Sequence, residues 1–297
     1  MTLIAIQNPQ SRIKNPFIGV VRLLRPGWLV VIMMGVALGG VLVAGAAALE
    51  GNLWQRLLLA MCSQALIGGA AFSLNDLFDL ATDQVRQPER PLASGVLSPK
   101  GARWVWGLGS AVGVALGGWL SVAHGVMAAV VVFLLYAYSA HLKRTVLVGN
   151  LVVALVAALA LVYGGWAVGT PAAALIGAAF AFLTVLAYEV VQDLEVTLAE
   201  PSPSIRTLPA VHGPGAATRT ATVLLACTII LAPLPFLFFN YGGLYLLLAL
   251  LADGLFLSAL WQLQARPSVA AAQATRRLLA WAMLLGLSAL TAGGMIT

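Results

Sequence analysis

Charge is what this sequence has least of. Only 9% of its 297 residues are Asp, Glu, Lys or Arg, while 61% are apolar; a soluble domain carries about 25% charged residues. So few charges cannot cover a water-facing surface. A soluble enzyme, a disordered chain and a nucleic-acid-binding domain are therefore excluded. Cysteine is also scarce. Cys62 and Cys227 are the only two, and both sit in apolar runs, as small buried hydrophobes rather than a disulfide or a zinc site. The three histidines, His124, His141 and His212, lack a partner at metal-ligand spacing. The net charge of +6 reads as basic residues collected in cytoplasmic loops, with no nucleic acid as partner.

What the chain has is long apolar runs. A helix needs about 20 apolar residues to cross the hydrocarbon core. Nine spans are expected, near 27–49, 54–74, 104–122, 125–141, 146–166, 171–190, 220–239, 243–262 and 277–295. Three longer runs are divided by turn signals at His124-Gly125, Gly169-Thr170-Pro171 and Asn240-Tyr241-Gly242-Gly243. The first run follows Arg12, Lys14, Arg22 and Arg25 as a signal peptide would, but 26–49 exceeds an h-region of roughly 7–15 residues. The expectation is an all-α integral membrane bundle of nine transmembrane helices, a single membrane domain over 1–297. Residues 1–26 form a tail, and 75–103 and 191–219 form long loops. Fifteen of the sixteen Lys and Arg residues then fall on one side, with Arg56 alone opposite. The positive-inside rule puts the N-terminus and both long loops in the cytoplasm, the C-terminus outside, and the chain in the cell membrane.

Eight of the ten acids lie in two segments, Asp76 to Glu89 and Glu189 to Glu200. Each begins where a span ends on the cytoplasmic side. Asp76, Asp79 and Asp83 are three and four residues apart, so a helix sets them on one face. Glu189, Asp193 and Glu200 repeat the pattern at four and seven, and Pro201 makes Glu200 the helix end. Clustered carboxylates need cations. Mg²⁺ takes hard oxygen ligands and is held by one or two carboxylates, waters and substrate phosphates. Two such helices facing each other suit Mg²⁺ with a diphosphate between them. Arg86, Arg90, Lys143, Arg144 and Arg206 come from the same side to hold the phosphate oxygens.

The string Asn75-Asp76-x-x-Asp79-x-x-x-Asp83, followed by Pro88-x-Arg90-Pro91-Leu92-x-Ser94-Gly95, resembles the first signature of the UbiA-type intramembrane prenyltransferases. Tyr138-Ser139-x-x-Leu142-Lys143-Arg144 with Gly149-Asn150 is similar to the family's mid-chain element. The resemblance implies Mg²⁺-dependent transfer of an isoprenoid chain from an allylic prenyl diphosphate to a lipophilic acceptor: a glycerol-phosphate lipid, a tetrapyrrole or a quinone precursor. It implies that Asn75, Asp76, Asp79 and Asp83 bind Mg²⁺-diphosphate and that Arg90 and Lys143 contact the diphosphate. Asn75 thus serves both metal and diphosphate, and Asp193 joins the three first-motif aspartates as catalytic.

The second signature departs. Members related to archaeal-lipid and chlorophyll synthases read Arg-Glu-x-x-Lys-Asp-x-Glu-Asp-x-Glu-Gly-Asp. This chain runs from Tyr188-Glu189 through Gln192-Asp193-Leu194-Glu195-Val196 to Glu200. Glu189, Asp193 and Glu195 are kept, Glu200 replaces the last Asp, and Val196 stands where a carboxylate is expected. In the first signature Arg86 stands where Asn is usual. The metal set expected here is Glu189, Asp193 and Glu200.

Departing diphosphate needs positive charge beside it, and the allylic cation needs shelter from water and an aromatic face. Tyr136, Tyr138, Tyr188 and Phe78 are the aromatic candidates, and Glu189 or Asp193 a base for the acceptor. Asp253, in mid-span, should face the bundle, where it lines the cavity or, the preferred reading, hydrogen-bonds a neighbouring helix. Two rivals stand beside this reading. A transporter keeps its acids at the membrane midplane on broken helices, and a catalytically impaired isoprenoid-binding homologue would follow from Val196.

Overall fold

The computed structural model describes residues 15–200, 206–265 and 268–296. Arg12, Lys14, Ile205 and Arg266 lie outside them. The described residues are helical, without strands. They form α1 (Pro16–Leu24), α2 (Pro26–Ala44), α3 (Gly51–Arg86), α4 (Pro99–Leu120), α5 (Val122–Ala140), α6 (Val148–Val168), α7 (Ala172–Ala199), α8 (Leu208–His212), α9 (Pro214–Leu231), α10 (Leu234–Phe238), α11 (Gly243–Ala265) and α12 (Val269–Ile296). Short 3₁₀ turns follow α2 and α5. Nine of these helices have 18 or more residues, matching the nine spans. Seven segments are both long and apolar enough to cross a membrane. The other two long helices, α4 and α12, carry Lys100 and Arg103, and Arg276 and Arg277.

Helix order follows the chain. α2 packs on α3 and α6, α6 on α7, and α7 on α9 and α12, while α12 returns to α2 and closes the bundle. At the α2–α6 crossing the backbones touch. A Cβ on Gly39 would fall on the Leu161 carbonyl, and one on Gly164 would fall on the Val36 carbonyl. Small residues permit this approach, which dispersion then rewards. The outer surface is apolar. Trp28, Trp104 and Trp261 are exposed near one end and Trp119 near the other, the arrangement of interfacial aromatic belts.

The polar loops are shorter than hydropathy implies. α3 continues past residue 74 to Arg86 and α7 past 190 to Ala199. At about 1.5 Å per residue, the 36 residues of α3 reach about 54 Å, against a hydrocarbon core of about 30 Å. Both helices therefore carry their acids beyond the apolar layer without uncoiling. The tail also differs from the expected open segment. α1 buries Gly19 and Leu23 against Val96 and Leu97. Cys227 is exposed on α9 rather than buried, and Cys62 is half-buried.

Candidate active site

The ends of α3 and α7, the turn after α5, the first turn of α6 and the start of α12 meet at one end of the bundle. The four first-motif residues divide over two flanks of α3. On the inner flank, Lys143 Nζ donates to Asn75 Oδ1 at 3.0 Å and to Asp79 Oδ1 at 2.6 Å. Lys143 sits in the 3₁₀ turn Leu142–Arg144. Leu147 enters α6 with a left-handed φ of 64°. Gly149 lets that turn approach: a Cβ there would stand 2.9 Å from the Leu142 carbonyl and 3.0 Å from Lys143 Cα. The Gly149-Asn150 pair therefore has a local purpose.

On the other flank, buried Asp76 accepts from Arg25 at 2.6 Å and Arg90 at 3.2 Å. Asp83, also buried, accepts from Arg90 at 2.7 Å. Arg90 Nε further donates to Gln87 Oε1 at 2.7 Å. Arg25 joins α1 to α2 with φ 52° and lies over the Phe72 ring at 4.9 Å. The three aspartates thus share a helix side, but the cations divide them into Asp79 with Asn75, and Asp76 with Asp83.

On α7, Asp193 Oδ2 accepts from Asn150 Nδ2 at 2.8 Å. Glu195 pairs with Arg276 of α12 at 3.0 Å. Glu200 reaches back to Arg86 at 3.7 Å, an exposed pair that joins the tips of α3 and α7. Glu189 has no hydrogen bond or ion pair among the described residues, and both Asp193 and Arg276 are within its electrostatic reach. Tyr138 of α5 is within electrostatic reach of Asp79, Glu189 and Asp193. Arg144 and Arg206 are exposed at the same end.

Of the aromatic candidates, Tyr138 is within electrostatic reach of acids on both helices. Phe78 and Tyr136 meet edge to face at 6.2 Å, and Tyr136 stacks on Trp106 at 5.9 Å, on the outer surface. Tyr188 lies against Arg276 at 5.9 Å. Asp253 is buried at 7% exposure, but the cross-helix hydrogen bond expected for it is not formed among the described residues. Its neighbour two turns earlier, Tyr245, donates instead to the Ala232 carbonyl at 2.6 Å. Sequence reasoning missed Arg25 and Arg276 as site neighbours. Both lie far along the chain from the acids they hold.

A match to the UbiA prenyltransferase family covers residues 27–293. The chain belongs to the UbiA prenyltransferase family. It is a prenyltransferase and a multi-pass membrane protein. Among UbiA-family relatives it is similar to the digeranylgeranylglyceryl phosphate synthase of Methanopyrus kandleri, 36% identical over 227 residues, 76% of this chain and 81% of the relative. It is also similar to that of Ignicoccus hospitalis, 33% identical over 86% of both chains. In fold it resembles a solved digeranylgeranylglyceryl phosphate synthase, with a TM-score of 0.84 at 23% identity over 95% of this chain and 99% of that one. It also resembles a UbiA homolog from Archaeoglobus fulgidus bound to GPP and Mg²⁺, with a TM-score of 0.69 at 20% identity over 92% and 99%. Family membership removes the transporter reading.

Proposed function

We propose that this prenyltransferase moves an isoprenoid chain, of geranylgeranyl type, from its allylic diphosphate onto the hydroxyl of a glyceryl phosphate lipid already carrying one such chain. The carrying observation is the chain of contacts that joins the two acidic helices: Lys143 holds Asn75 and Asp79 of α3, its turn packs on Gly149, and the next residue, Asn150, holds Asp193 of α7. The names of the curated relatives support the acceptor.

The donor set fits Mg²⁺. It is made of hard oxygens from Asn75 and Asp79 on one helix and Glu189 and Asp193 on the other. Among the described residues no three acids, histidines or cysteines gather closely enough to hold a metal by themselves, so an ion here would take the rest of its shell from water and substrate phosphate. Those four residues would hold Mg²⁺, which supplies Lewis-acid stabilisation of the departing diphosphate. Asp76, Asp83 and Glu200 pair with Arg25, Arg90 and Arg86 as Asp79 pairs with Lys143, and a carboxylate paired in this way still has a second oxygen for an ion.

This chain's residues then do the following. Lys143 and Arg90 carry charge toward the diphosphate, with Arg86, Arg144 and Arg206 at the rim. Asp76, Asp83 and Gln87 keep Arg90 in place. The allylic carbon–oxygen bond to diphosphate breaks with its electron pair leaving on oxygen. Tyr138 and the surrounding helices screen the allylic cation from water. The acceptor oxygen forms the ether bond and its proton passes to Glu189 or Asp193, through an oxygen that the ion leaves free. With every described basic residue except Arg56 at this end, the proposed orientation has the site facing the cytoplasm, the N-terminus with it and the C-terminus opposite. The whole of 1–297 acts as one membrane domain.

The test is reconstitution. Purified protein in liposomes receives geranylgeranyl diphosphate, geranylgeranylglyceryl phosphate and Mg²⁺, and pyrophosphate and product are measured. Magnesium-dependent ether product is expected. Product only with an aromatic acceptor overturns the acceptor; no product with any acceptor overturns the catalytic reading and leaves an impaired isoprenoid-binding protein.

A further inference from the structure

From Tyr188 to Glu200, α7 carries Glu189, Asp193, Glu195 and Glu200 without a single Lys or Arg. Like charges at these spacings repel and loosen a helix end, so the compensating cation has to come from elsewhere in the fold. Arg276 of α12 meets this stretch at three points. Its Nε stands 3.0 Å from Glu195 Oε2, its guanidinium donates to Gln192 Oε1 at 3.2 Å, and it lies 5.9 Å from the Tyr188 ring centroid. Residues 188, 192 and 195 are one stripe of α7. Arg276 is held in turn by its own helix, where adjacent Thr275 and nearby Leu279 are fully buried. Side-chain exposure of 34% for Arg276 and 15% for Glu195 removes the pair from much of the screening that weakens surface bridges.

We propose that Arg276 is a positioning residue, the cation that the second acidic helix lacks in its own sequence. It draws Glu195 and Gln192 toward α12 and leaves Glu189 and Asp193 as the pair facing Asp79. It also lowers the net negative charge that an incoming diphosphate meets. This inference rests on the functional reading above.

The experiment measures binding of geranylgeranyl S-thiolodiphosphate with Mg²⁺ to the full-length protein in detergent by calorimetry, beside the kcat and KM of turnover. Arg276→Gln is expected to weaken analogue binding about tenfold, or about 1.4 kcal/mol, with the loss in KM rather than kcat. Two second-site changes are expected to restore binding to within about threefold of wild type: Gln192→Lys, which returns a cation to α7, and Glu195→Gln, which removes the charge needing one. Should Arg276→Gln fail to fold, Arg276→Lys retains the pair with Glu195 and is expected to bind within about threefold of wild type. Unchanged binding in Arg276→Gln, or a loss that neither second change repairs, overturns the proposal. A wild-type protein that does not bind the analogue overturns the functional reading beneath it.

Discussion

At the scale of single residues, the site depends on which carboxylate each cation holds. Lys143 spans Asn75 and Asp79, so its ammonium is already beside the oxygens proposed to receive Mg²⁺-diphosphate. Losing a preorganised charge at a departing anion costs about 10²–10³ in rate. Asp79→Asn and Lys143→Met should each show such a loss in kcat in a pyrophosphate-release assay; a loss under threefold would remove them from the reacting centre. Asp83→Asn should be milder. Arg90 keeps Asp76 and Gln87 after that change, so the expectation is KM for the prenyl diphosphate raised about tenfold with kcat nearly kept, as when one of several charged hydrogen bonds is lost. The acids themselves were legible from sequence, because their three- and four-residue spacing encodes a helix face. Their division between two flanks was not. Arg25 lies 51 residues from Asp76 and Arg276 lies 84 residues from Gln192, and local spacing carries no trace of such pairs.

At the scale of elements, the packing of α2 on α6 sets how closely the first half of the bundle closes. Gly39 and Gly164 bring each backbone against a carbonyl of the other helix. Any side chain at Gly164 must push the helices apart, and overpacking of this kind costs about 1–3 kcal/mol. Gly164→Val is therefore expected to lower the thermal midpoint in detergent by several degrees, while Gly118→Val, at a position with open space around it, should leave it unchanged. Gly149→Val has a different signature. It should displace the 3₁₀ turn and with it Lys143, reducing turnover more than stability. Hydropathy located all nine long helices because apolar length is the signal a bilayer imposes. It ended α3 and α7 too early because a helix that emerges into water keeps its hydrogen bonds while losing its apolar character. The α1 helix was missed because nine residues are too few for either signal.

At the scale of the whole molecule, charge decides direction. Among the described residues, the end that carries the two acidic clusters also carries every basic residue except Arg56, whose side chain donates to the Ala167 carbonyl at 2.7 Å and thereby pins the opposite end of α3 to α6. Reversing the protein would carry these cations across the membrane in exchange for one. The proposed orientation puts the acidic ends in the cytoplasm, and with them the side from which a water-soluble diphosphate head would enter. Single cysteines placed in a Cys62→Ser, Cys227→Ser background can test this. Glu89 and Glu50 are both exposed, at opposite ends of the bundle. In intact cells a membrane-impermeant maleimide should label Glu50→Cys and not Glu89→Cys, while in inverted vesicles the pattern should reverse. Labelling of Glu89→Cys from outside would place the acidic cluster on the far side of the membrane, away from cytoplasmic prenyl diphosphate, and would overturn the orientation and the route of substrate entry together.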